Sequence, residues 1–292
     1  MSPSVYLLVL TYNGREMVLA CLESVMQSSY DNLHVVVIDN GGSDGTPEAV
    51  REAWGDRAEV LRIEHNVKFS RANNEGIRLA LKCGADYVML LNDDTVMAPE
   101  TVSELVKAAE SDPAIGFVGP KIYYWKPDDQ IWFAGGLIFP ARGTAAHIGI
   151  RERDHGQYDE PRDVDYITGC AMMGRCAMIE RIGLLDPAYK AYYEDSDWCT
   201  RAARAGWRRV YVPSGRVWHK ISASTGGQLT AYKVYHKLRS GFIFFRRYSR
   251  WYHLFTIPLF QIFDVVRVLL LVARGRVANT WNEKTASGAD HE

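Results

Sequence analysis

The chain is poor in cysteine, with five in 292 residues (21, 83, 170, 176 and 199), an odd set lacking any CxxC pair. A disulfide framework or a zinc cluster is therefore excluded, and a reducing compartment is expected. The sequence also lacks a GxxxxGK(S/T) loop and a GxGxxG fingerprint, so the common phosphate-cradling motifs do not account for it. No internal repeat or low-complexity tract is present. The opening MSPSVYLLVLTYNG has no basic region ahead of its apolar run. A first domain starting near residue 1 without a secretory signal is expected. Charge of one sign is missing as well, since the formal net charge is only -1. That balance hides an asymmetry: residues 201–276 carry 15 Lys plus Arg against one acid, Asp264, leaving -15 on the remainder. An acidic body with a basic C-terminal quarter points to an anionic partner, a membrane surface or nucleic acid.

What is present is ordinary globular material, 47% hydrophobic and 24% charged, long enough for one or two domains. Apolar runs of strand length alternate with amphipathic stretches. Strands are predicted at 5–10, 33–38, 60–63 and 87–91, and helices at 16–27, 46–54, 70–83 and 99–110. Near-continuous apolar strands separated by helices predict an α/β fold with a mostly parallel sheet flanked by helices. After Gly116 shorter, aromatic, glycine-punctuated runs predict an α+β half, with a helix at 196–205 and a strand at 209–212.

Three predicted strands end in polar groups: Thr11-Tyr12-Asn13, Asp39-Asn40 and Asn92-Asp93-Asp94. Ligands in doubly wound sheets bind beyond the carboxyl ends of the strands. Carboxylates gathered there repel one another unless a cation or hydrogen-bond donors share the site. Hard oxygen ligands suit Mg²⁺ or Mn²⁺ holding a substrate phosphate. The competing reading is that Asp39 and Asp94 only form turns.

The segments TYN (11–13), DNGGSDGT (39–46), NVKFSRANNEGI (66–77), NDDT (92–95) and YYEDSDWCTRAARAG (192–206) together resemble glycosyltransferase family 2, in particular its rhamnosyltransferase-like branch. The similarity runs from about residue 4 to 225. It implies a GT-A fold, Rossmann-like, with a donor half over about 1–115 and an acceptor half over about 116–225. It also implies inverting transfer from a nucleoside-diphosphate sugar to an acceptor hydroxyl. Carried over by position, Asp39 meets the donor's base with Thr11 beside it, and Arg71 and Asn73 line the donor site. Asn92 or Asp93 approaches the ribose, while Asp94 binds Mn²⁺ or Mg²⁺ under the diphosphate and His219 completes the metal shell. Asp195 takes the proton of the acceptor hydroxyl, with Glu194 as its acidic neighbour. Helix capping is the structural alternative for that acid pair, and core packing is the alternative for His219 and for Trp198, Trp207 and Trp218. Two rival functions share part of the pattern. One is a sugar-nucleotide-forming nucleotidyltransferase, although its Gly-rich basic loop is missing after the first strand. The other is a sugar-nucleotide-binding scaffold without catalysis.

Residues 226–276 interleave basic and aromatic side chains with the run LFTIPLFQIFDVVRVLLLV (254–272), which Pro258, Asp264 and Arg267 interrupt. A helical segment lying on an anionic membrane surface is expected, with a protein interface such as a homodimer as the alternative. Nucleic acid is not expected, because no binding motif accompanies the charge. Residues 277–292 read as a flexible tail. The expected setting is cytoplasmic, peripheral on the inner face of the cell membrane, with a glycan or lipid-linked glycan as acceptor.

Overall fold

A computed structural model describes residues 2–220, 231–253, 255–260 and 262–263. The order is β1 (Val5–Thr11), α1 (Arg15–Val25), β2 (Leu33–Asn40), α2 (Thr46–Trp54), β3 (Glu59–Ile63), α3 (Phe69–Lys82), β4 (Tyr87–Asn92), β5 (Thr95–Met97) and α4 (Thr101–Glu110). There follow β6 (Ile115–Tyr124), β7 (Ile131–Phe133), β8 (Gly136–Phe139), β9 (Thr144–His147), β10 (Arg162–Asp163), β11 (Ala171–Arg175), α5 (Cys176–Ile182), α6 (Glu194–Arg204), β12 (Arg208–His219) and α7 (Ala231–Tyr248).

The main sheet runs β10-β12-β6-β11-β4-β1-β2-β3, with β5 added to β12 and β7 to β6. Strands β3, β2, β1 and β4 are mutually parallel, and β12 is parallel to β6. Strand β11 runs antiparallel to both β4 and β6, so it is a reversed strand set between two parallel groups. The apolar runs form the core: Leu7, Leu8 and Val9 of β1 and Val36, Val37 and Ile38 of β2 are fully buried. Helix α3 packs on β1, β2 and β4, and α4 on β6 and β12. The predicted α/β class and parallel sheet are what the chain adopts.

Two local features differ from the sequence reading, and both shape the site. Strand β12 extends to His219 because an irregularity between Val212 and Arg216 absorbs Pro213, Ser214 and Gly215 and then resumes pairing with β6. Its far end pairs antiparallel with β5, setting His219 opposite Thr95. Helix α6 starts at Glu194 rather than 196, because Tyr192 and Tyr193 both take left-handed backbone (φ 66°) and turn the chain sharply into the helix. All five cysteines are free.

The chain divides into two compact units, Met1–Ile138 with Ala145–Phe244, and Phe139–Thr144 with the chain from Phe245 on. Within the smaller unit Arg142 sits over the Phe260 ring at 5.4 Å, and Trp251, Phe255, Leu259, Ile262 and Phe263 expose large apolar surfaces. Much of the run 254–272, including Asp264 and Arg267, and the tail 277–292 lie outside the described residues. Among the described residues no helix is long and apolar enough to cross a membrane.

Candidate active site

Register places the polar strand ends side by side. Thr11 pairs with Asp39, Asp39 with Arg62, and Leu10 with Asn92, so four parallel strands deliver these groups to one edge of the sheet. The loops beyond are tied together: Ser43 N–H donates to Asn13 Oδ1 (2.8 Å) and Arg15 N–H to Asp44 Oδ2 (2.9 Å). Asp39 is fully buried. Its Oδ1 accepts from Gly42 N–H at 2.9 Å, while Oδ2 has no hydrogen-bond partner and faces Arg62 Nε at 3.8 Å. Burial pushes its pKa above the usual carboxylate range, against the pull of Gly42 and Arg62.

Asp93 and Asp94 follow β4 in a tight turn. Burial raises Asp93 to about 6, the Thr11 hydroxyl opposes this and the neighbouring Asp94 charge reinforces it. Gly14 is required here, because a Cβ would lie 2.6 Å from both Asp93 Oδ2 and Thr11 Oγ1. The β5–β12 pairing carries His219 Nε2 to 3.1 Å from Asp94 Oδ1, and Lys220 N–H donates to Asp94 O at 2.7 Å. Burial disfavours a proton on His219, but Cys170 and Asp94 outweigh it and hold the imidazolium up to about 10.

Asp195 lies in the first turn of α6. Its Oδ2 accepts from Gly169 N–H (3.1 Å), and Oδ1 accepts from Ser196 N–H (2.7 Å) and Ser196 Oγ (3.2 Å). Gly169 approaches without a side chain, since a Cβ there would press to 3.3 Å from the Phe69 ring. The long-range bond from Gly169 shows that Asp195 does more than cap its own helix. Burial raises its pKa against these donors. Burial first, and then the Asp195 charge, raises Glu194 to about 8; its Oε2 has no hydrogen-bond partner. The adjacent carboxyl groups therefore titrate together as a pair, both held above the usual carboxylate range.

Asn92, Glu194, Asp195 and His219 line one cavity of about 580 Å³. Trp132 from β7, His147 from β9 and Tyr166 join its walls without any sequence signal, together with Tyr192 of the segment before the acid pair and Lys237 of the basic α7. Trp132 meets both His147 and His219 edge to face at 4.6 Å. Burial drives His147 down to about 4, so it is neutral. Thr11 and Asp39 lie at the adjoining strand ends. Asn73 is buried in α3 with its amide donating to Phe69 O at 3.1 Å. Arg71 is exposed and lines a separate cavity of about 310 Å³ with Lys68 and Lys190. Trp198, Trp207 and Trp218 do not line the acid cavity; Trp198 is core, donating to Gly183 O at 2.8 Å, and Trp218 stacks on Tyr123.

The fit to a divalent metal can be judged from the donors. Asp94 Oδ1 is buried without a hydrogen-bond partner, and a neutral imidazole beside it would supply a nitrogen ligand. Among the described residues no three His, Cys, Asp or Glu side chains converge. Two protein ligands leave most positions to water and phosphate oxygens, as Mg²⁺ and Mn²⁺ favour. The residues fit such an ion.

Comparison with known proteins agrees with this architecture. Residues 6–183 match the family model of glycosyl transferase family 2. An uncharacterized protein of Sinorhizobium fredii, y4gI, is 28% identical over 243 residues, spanning 80% of this chain but 26% of that protein. The N-acetylglucosaminyl-diphospho-decaprenol L-rhamnosyltransferase of Mycobacterium tuberculosis is 28% identical over 252 residues, spanning 79% of this chain and 80% of the relative. Among solved structures, a mannosyltransferase of Pyrobaculum calidifontis in complex with GDP-Man and Mn²⁺ superposes with a TM-score of 0.66 at 17% identity, over 96% of this chain and 83% of that one. Family match, strand-end carboxylates and sheet order converge: this chain belongs to glycosyltransferase family 2 and is a glycosyltransferase with the GT-A architecture.

Proposed function

We propose that the chain transfers a sugar, rhamnose or another hexose, from a nucleoside diphosphate to a hydroxyl of a lipid-linked glycan, with inversion at the anomeric carbon. The observation that carries this reading is Asp195. It is a buried carboxylate, oriented by Gly169 and Ser196, that opens into the same cavity as His219. The acceptor hydroxyl gives its proton to Asp195 as its oxygen bonds to the anomeric carbon, and the bond from that carbon to the nucleoside diphosphate breaks on the opposite face. Asp195 suits the role because burial raises its pKa, which makes it a stronger base. A Mn²⁺ or Mg²⁺ ion held by Asp94 and His219, when bound, offsets negative charge on the departing diphosphate. Asp39 Oδ2, buried without a hydrogen-bond partner, suits an N–H of the nucleotide base, with Thr11 at the neighbouring strand end. Asn92 or Asp93 is assigned to the ribose, and Arg71 and Asn73 to the donor side through the α3 segment.

The relatives favour this acceptor class, since the mycobacterial one is named for a diphospho-decaprenol-linked sugar. A peripheral position on an anionic membrane agrees with α7, where Tyr235, Leu238 and Phe242 recur at helical spacing and are exposed. The test is product analysis. UDP-, dTDP- and GDP-sugars are supplied with Mn²⁺ and a lipid-linked acceptor, and the new glycosidic bond is read by NMR. An inverted linkage with release of nucleoside diphosphate is expected. A retained configuration, or diphosphate as the by-product, overturns the reading.

A further inference from the structure

We propose that Lys237 recognises a phosphate ester on the acceptor, next to the sugar that is glycosylated; this rests on the acceptor occupying the acid cavity. Helix α7 is registered against the segment leading into the acid pair. Ser240 Oγ donates to Ala191 O at 2.7 Å, Arg239 Nη1 donates to Ala188 O at 2.9 Å, and Phe244 packs on Tyr193 with ring centroids 5.4 Å apart. Gly241 permits this approach, since a Cβ there would already lie 3.3 Å from the Tyr193 ring. One turn earlier on the helix, Lys237 joins the cavity wall.

The Lys237 side chain makes no hydrogen bond or ion pair with any described residue, although two carboxyl groups line the same cavity. Its charge is felt inside, where it adds to burial in keeping His147 neutral. A cation in the cavity wall with no counter-ion among the described residues is suited to an anionic ligand. A neutral sugar would not need it. Glu194 and Asp195, in the same cavity, disfavour a free carboxylate ligand unless it reaches Lys237, whereas a phosphate ester also offers several oxygens to a compact ammonium. The exposed apolar side chains of Tyr235, Leu238 and Phe242 on the same helix suit the hydrocarbon of such an ester.

The test measures binding of hexyl diphosphate, hexanoate, inorganic pyrophosphate and hexyl glucoside to the full chain in EDTA, where metal-held phosphate does not contribute. Wild type, Lys237→Met and Lys237→Arg are compared. Wild type is expected to bind hexyl diphosphate about 10–100-fold tighter than hexyl glucoside, the range for one charge-assisted contact. Lys237→Met should lose that preference, Lys237→Arg should keep it, and the melting temperatures should agree. Pyrophosphate binding as tightly as its hexyl ester would assign the site to free phosphate and overturn the acceptor assignment. An equal preference for hexanoate, no preference in wild type, or a preference surviving in Lys237→Met also overturns it. Failure of the transferase reading itself shows separately, as no nucleoside diphosphate released from any donor.

Discussion

Replacing Glu194 by Gln should make the protein less sensitive to alkali. In the fold Glu194 titrates near 8, against 4.5 for an ordinary glutamate, because burial and then the Asp195 charge oppose its ionisation. Between those values the folded chain keeps a proton that the unfolded chain loses. Stability must therefore fall as pH rises through this window, by up to about 1.4 kcal/mol per pH unit. Gln carries no ionisable group, and the unpartnered Oε2 means that the exchange breaks no hydrogen bond there. Relaxation of the site and the residual coupling to Asp195 reduce the full slope. A gain of about 1–2 kcal/mol for the variant over wild type between roughly pH 5 and pH 8 is expected. Urea unfolding at several pH values reads it directly, with unchanged m-values confirming a pure stability effect. Parallel stability curves would refute the argument, since Glu194 would then ionise like a surface carboxylate.

Three further outcomes follow from the geometry. His219→Ala should raise the Mn²⁺ concentration needed for half-maximal activity about 10-fold or more, and an unchanged requirement would remove His219 from the metal shell. Gly14→Ala should abolish donor binding by calorimetry while the far-ultraviolet circular dichroism persists, because its Cβ would displace Asp93 and Thr11 from 2.6 Å. The full chain should co-sediment with anionic vesicles at low salt and release as salt screens the basic residues. A dimer in solution with no vesicle binding would assign the exposed apolar face of α7 to a second copy.

The strand ends were legible because a buried parallel strand is a continuous apolar run, and Thr11, Asp39 and Asn92 interrupt such runs. Helix α6 starts two residues before the sequence predicts, since nothing local signals that Tyr192 and Tyr193 adopt left-handed backbone. The meeting of His219 with Asp94 depends on the irregularity at Val212–Arg216, a register effect that no spacing rule reads. Trp132, His147 and Lys237 come from three distant elements and share no motif, so only the folded topology assembles them around the acid pair.

The account turns on Asp195, and the most direct measurement is single-turnover transfer by Asp195→Asn with donor, acceptor and Mn²⁺ saturating. The amide keeps the shape and can still accept from Gly169 N–H, but it cannot take a proton. A loss of about 10²–10⁴-fold in the transfer step, with unchanged donor affinity, is the predicted result. Transfer near the wild-type rate would contradict the account, because the acceptor proton would then leave by another route.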